Sequence, residues 1–137
     1  MIRTVFAALM LALFCVPANA EEPKKEKLTV ELAGDIADES LQKSAPANGV
    51  IATAKDWEKL AKAWSIKGAP KVDFTKEILI VGTWKGSSFN INGTVKDGDL
   101  TVLSGGTKDL RDGFRWKIKS MKREGIKTVN GKELPKE

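Results

Sequence analysis

The chain has 137 residues, a formal net charge of +5, a single cysteine, and no histidine or tyrosine. Histidine–metal sites, Ser-His-Asp triads and zinc fingers are excluded by these absences, and so is an intramolecular disulfide. The basic excess is mostly lysine, spread along the chain with acids between. That pattern belongs to a solvated surface and not to the one-sided footprint of a nucleic-acid binder.

Met1-Ile2-Arg3 is a short positive start, Val5 to Val16 is almost wholly apolar, and Pro17 and Ala18-Asn19-Ala20 follow. This is the pattern of a secretory signal cleaved after Ala20, and it predicts a periplasmic or extracellular protein. The apolar run is too short for a membrane span, which needs about 20 residues. Cys15 does not make a lipobox, because the large Phe14 precedes it. Cleavage removes the only cysteine and Arg3, leaving +4. The mature chain must then be held by an apolar core and a hydrogen-bonded sheet, with no span left in the membrane.

Residues 21–27 are charged and aperiodic and read as a flexible leader, so a single globular domain is expected over 28–137. Leu28-Thr29-Val30-Glu31-Leu32 alternates as a half-buried strand. Gly34 to Asn48 is turn-prone, with room for a helical turn at Asp38 to Lys43, and Val50-Ile51-Ala52 reads as a brief strand. Thr53 and Asp56 stand in near capping-box spacing. Trp57, Leu60, Ala61 and Trp64 then recur at helical spacing, so an amphipathic helix over about 54–65 should anchor its tryptophans in the core. Gly68-Ala69-Pro70 stops it.

Val72-Asp73-Phe74 leads to Ile78-Leu79-Ile80-Val81, a continuous β-branched run expected as a central strand covered on both faces. Residues 82–88 read as a loop. Phe89 to Val95 and Leu100 to Leu103 make a hairpin about Asp97-Gly98. Ser104 to Gly113 reads as a long loop. Phe114 to Lys119 has strict period two, apolar on one side and cationic on the other. Ile126 to Val129 is a short strand, and Asn130-Gly131 turns the chain back toward Leu134. The sum is an α+β domain: a mainly antiparallel sheet of five to seven short strands with one amphipathic helix on one face.

Ile51 to Leu60, Trp64 and the segment Pro70-Lys71-Val72-Asp73-Phe74 to Val81 together resemble the PrcB C-terminal domain family. Those exported bacterial proteins are implicated in stabilising a protease complex. The resemblance covers roughly residues 50–82, and 89–102 by pattern. Where the family has Gly-Gly-Tyr, this chain has Gly86-Ser87-Ser88-Phe89. The closing segment, Gly113 to Lys132, looks more like a group of small exported bacterial proteins of uncharacterised role. The resemblance implies a protease or other protein partner.

Several residues invite a chemical reading. Asp73 reads as a turn cap and not a catalytic acid. Asp97, Asp99, Asp109 and Asp112 are hard-oxygen donors, but Asp97-Gly98-Asp99 lacks the rest of a calcium loop. Gly82 to Ser87 lacks the Gly-Lys-Ser/Thr ending of a phosphate loop. No pair of Ser, Thr, Lys, Asp or Glu is assigned catalysis, no cofactor is expected, and an enzyme of unknown type is the third choice. The first choice is an exported binding or accessory module. Its partner surface would be Trp84, Lys85 and Ser87, with Trp84 either a partner anchor or folded down over the sheet edge. The second is a binder of anionic small molecules or polymers through Arg111, Arg115, Lys117 and Lys119. That cationic row also suits an edge strand guarding against aggregation.

Overall fold

The computed structural model describes residues 30–136. The expected signal sequence, the charged leader and the Leu28-Thr29 start of the first strand lie outside the described residues. The elements run β1 (Glu31–Ile36), a 3-10 helix (Glu39–Ser44), β2 (Val50–Ile51), α1 (Ala54–Ala63), β3 (Glu77–Trp84), β4 (Phe89–Lys96), β5 (Asp99–Gly106), β6 (Phe114–Lys122), β7 (Thr128–Val129) and β8 (Lys132–Glu133). They form two four-stranded sheets, in the orders β1-β6-β3-β2 and β4-β5-β7-β8. All strand pairings are antiparallel except β5 with β7.

The α+β class and the main helix stand as the sequence predicts, but there are two stacked sheets where one was expected. The helix covers one face of the first sheet and the second sheet covers the other. Alternation along the strands sorts the side chains. On the helix side, Leu79 and Val81 of β3 and Phe114, Trp116 and Ile118 of β6 bury against Trp57, Leu60 and Trp64 of α1. On the other side, Ile78 and Ile80 of β3 meet Phe89, Ile91, Leu100 and Val129 from the second sheet.

Helix α1 starts where Thr53 Oγ1 accepts the Asp56 N–H at 3.2 Å. It ends at Ala63, two residues before the expected Ser65, because Ser65 adopts left-handed backbone at φ 50°. The indole N–H groups of Trp57 and Trp64 donate to the carbonyls of Pro70 (3.0 Å) and Leu41 (2.9 Å). The ring of Trp64 packs against Phe114 and Trp116, with centroids 5.6 and 5.7 Å apart. Each tryptophan thus fills core volume and ties the helix to a flanking loop.

Three strands run into regions expected as turn or loop, and β7 is shorter than expected, at Thr128–Val129. The first strand runs Glu31–Ile36, through the Gly34 region expected as a turn, because it pairs in full register with Phe114 to Lys119. Strand β3 continues through Gly82 and Thr83 to Trp84, and β5 continues to Gly106, so both expected loops begin later. Long neighbouring strands supply backbone partners that local composition does not reveal. The cationic row is no edge either: β6 lies between β1 and β3. The Asp97-Gly98 hairpin is as expected, with φ of 52° and 82° at the two turn residues.

Candidate functional surface

At one end of the sandwich the β3–β4 turn meets the loop from Thr107 to Gly113. Trp84 closes β3, stacks on Phe89 with the rings 13° apart, and donates its indole N–H to the Thr107 carbonyl at 2.8 Å. It is half-buried, folded down over the sheet margin. Lys85 pairs with Glu39 at 2.8 Å. Its carbonyl accepts both the Arg111 N–H at 3.0 Å and the Arg115 guanidinium at 3.3 Å. Ser87 donates its N–H and its hydroxyl to Asp109 Oδ1, both at 3.1 Å. Asp109 Oδ2 takes the Arg111 Nε–H at 3.1 Å. The side chain of Thr107, the N–H and hydroxyl of Ser87, and Arg111 together hold the Asp109 carboxyl far below the usual carboxylate range.

The Asp109 ties lock turn and loop together, and the next residue is left outside them. Leu110 is 86% exposed. With Trp84, Gly86 and Thr107 it borders a cavity of about 350 Å³. The result is an apolar tip on a braced loop, ringed by Lys85, Lys108, Asp109 and Arg111. Leu110 was not among the residues singled out from sequence. Its signal was present, as one large aliphatic residue in the polar stretch from Ser104 to Gly113. What sequence did not disclose was the bracing across 22 residues from Ser87 to Asp109.

The seven candidate residues divide differently from the sequence grouping. Trp84, Lys85, Ser87, Arg111 and Arg115 gather at this end. Lys117 and Lys119 follow along the same face of β6, about 13 Å of strand separating Arg115 from Lys119. Each of the four cations is already engaged. Arg111 pairs with Asp109 (3.1 Å), Arg115 with Asp35 (3.5 Å) and Lys119 with Glu31 (3.9 Å). Lys117 reaches Asn90 Oδ1 at 3.2 Å and lies 5.5 Å from the centre of the Phe89 ring. The acids on Arg115 and Lys119 come from β1, whose register sets Glu31 opposite Lys119 and Asp35 opposite Arg115.

Asp73 and Asp99, like Asp109, are structural ties. Asp73 Oδ1 accepts from the N–H and hydroxyl of Thr75, which holds its pKa below the ordinary value. Asp99 accepts from the Thr128 hydroxyl at 2.6 Å and the Gly131 N–H at 2.9 Å, with the same effect. Among the described residues no three Asp, Glu, His or Cys side chains gather to hold a metal ion. Arg123 was not anticipated: its guanidinium donates to the carbonyls of Ala52 (3.0 Å), Phe74 (2.9 Å) and Pro135 (2.6 Å), clamping the C-terminal tail to the first sheet. Among the described residues no helix is long and apolar enough to cross a membrane.

Fold and surface together define a helix-covered, two-sheet α+β domain with one braced loop end. No protein-family model, curated protein or solved structure matches the chain.

Proposed function

We propose that this protein is an exported, non-enzymatic accessory module that holds a protein partner at the Trp84–Leu110 end. The observation that carries the reading is Leu110, an apolar side chain 86% exposed on a loop that Asp109 braces. A free loop would lose entropy on binding, and a braced one has already lost it. Trp84 and Leu110 supply the apolar centre and the surrounding charges a polar rim, the usual division of a protein–protein contact. The resemblance to the PrcB C-terminal domain family points to an exported protease or its complex as the partner. The leading segment Met1 to Ala20 supplies the address. The anion reading has less support, because Arg111, Arg115, Lys117 and Lys119 are spread along a strand and each is engaged by an acceptor.

The test is capture from the exported fraction of the producing cell with immobilised wild type and a Leu110→Asp variant. Wild type should retain a protein that Leu110→Asp loses, and the lifetime of that protein should shorten without the module. Equal retention by both proteins sinks the reading. Leu110→Asp should leave the melting temperature unchanged, since exposed substitutions stay within about 0.5 kcal/mol.

A further inference from the structure

Most of the excess of cations over acids lies elsewhere. Between residues 43 and 72, six lysines (43, 55, 59, 62, 67 and 71) meet only Asp56 and Glu58, a net +4. The other described residues carry thirteen cations and twelve acids, a net +1. None of the six lysines makes an ion pair with a described residue. On α1, Lys55, Lys59 and Lys62 recur at i, i+4 and i+7, one stripe along the outer side of the helix. Beside that stripe runs a groove of about 540 Å³, within the roughly 300–1,000 Å³ of ligand sites. Lys43 and Lys59 line it as cations, and Leu60, Ala63, Val50 and Ile51 line it as apolar residues. Val50 and Ile51 are β2, an edge strand of the first sheet, and among the described residues no further strand pairs with its outer side.

From these observations we infer that the groove between α1 and β2 binds an extended acidic peptide segment of a partner protein. Asn48 Oδ1 holds the outward Val50 N–H at 3.1 Å and Arg123 holds the Ala52 carbonyl at 3.0 Å, so an extended segment would lie along this edge through its side chains and not as an added strand. The occupant's chemistry follows from the lining. Lys43 and Lys59 attract carboxylates, while the half-buried Ala45, Pro46 and Ala63 take apolar side chains. Asp56 shares the groove and opposes a uniformly acidic tract. An extended chain alternates its side chains, so a sequence alternating acidic and apolar residues meets both requirements. Lysine, as a flexible point charge, suits carboxylates at variable positions better than one fixed bidentate partner. This site is separate from the Trp84–Leu110 end and stands or falls independently of it.

The experiment uses a fluorescein-labelled octapeptide of alternating Glu and Val, with a Lys–Val octapeptide as its opposite. Fluorescence anisotropy measures binding to the protein, and amide chemical shifts locate it. The Glu–Val peptide should bind, with shifts at Val50, Ile51 and Ala63, and binding should weaken with salt. Lys43→Gln with Lys59→Gln should weaken it about fivefold or more, while Lys117→Gln with Lys119→Gln should not. Reversal to Lys43→Glu with Lys59→Glu should transfer binding to the Lys–Val peptide, a gain that a merely misfolded variant does not produce. Leu110→Asp should bind the Glu–Val peptide as wild type does. The inference is overturned by no binding, by shifts confined to another face, or by equal loss in the Lys117/Lys119 variant. It is also overturned if phosphatidylglycerol vesicles, and not the peptide, bind with the Lys43 and Lys59 dependence.

Discussion

Strands β3 and β6 lie side by side in one sheet and read quite differently. In β3, Ile78, Leu79, Ile80 and Val81 are all buried, because the helix covers one face and the second sheet the other. In β6, Phe114, Trp116 and Ile118 are buried and Arg115, Lys117 and Lys119 are half-exposed. There the second sheet meets the cationic side at Met121 and, through Asn90 and Phe89, at Lys117, while Arg115 and Lys119 rest on acids of β1. Continuous against alternating hydrophobicity is therefore a direct record of how many layers cover each strand. The two sides of the sheet differ in kind as well: the helix side is rich in aromatic rings and the other is mostly aliphatic.

The largest effect should come from the aromatic side. Trp64→Ala removes the ring contacts to Phe114 and Trp116 and the bond to Leu41, and should cost about 3–5 kcal/mol in a denaturant melt. A loss below about 1 kcal/mol, the scale of an exposed site, would break the assignment of that face as the main core. Next comes the double-covered strand. A Cβ at Gly82 would come within 2.2 Å of Ile91 Cγ2, so Gly82→Val should cost about 1–3 kcal/mol by overpacking. Lys117→Val on single-covered β6 should change stability by only about 0.5 kcal/mol. If the two valines cost the same, coverage does not explain the two strands.

Trp84→Ala should fall between these limits, at about 1–2 kcal/mol, from the lost stacking on Phe89 and the lost bond to Thr107. A negligible change in melting temperature would mean that Trp84 is a free anchor and not a folded-down margin residue.

The smallest effect is a matter of pH. Asp109 has a lowered native pKa, so its tie is fully present above its unfolded value, near 3.9, and is lost only as pH falls through the lower native value. The Ser87 amide resonance should therefore titrate with a midpoint below about 3.9 and not titrate in Asp109→Asn. A midpoint at or above that value would mean that the tie from loop to turn does not form.

Much of this was legible in the residues themselves. The Trp57, Leu60 and Trp64 stripe, the Ile78 to Val81 run, the period-two segment from Phe114 and the Asp97-Gly98 turn are local patterns, and each became the element expected of it. Local patterns suffice there because backbone geometry sets the spacing of side chains on a helix or strand. The placement of Trp84 depended on Phe89 and Thr107, and the exposure of Leu110 on the bracing of Asp109 by Ser87.

Sequence by itself thus determined the main helix and the centres of the longer strands, which face of each is apolar, and which chemistries are excluded for want of histidine. Tertiary structure alone decided that there are two sheets, that the β6 cations are matched by acids on β1, and that six helix-side lysines are not. The reason is one of distance. Periodicity is written within a dozen neighbouring residues, whereas Arg115 and Asp35, or Ser87 and Asp109, become partners only when strand pairing brings remote stretches within a few ångströms.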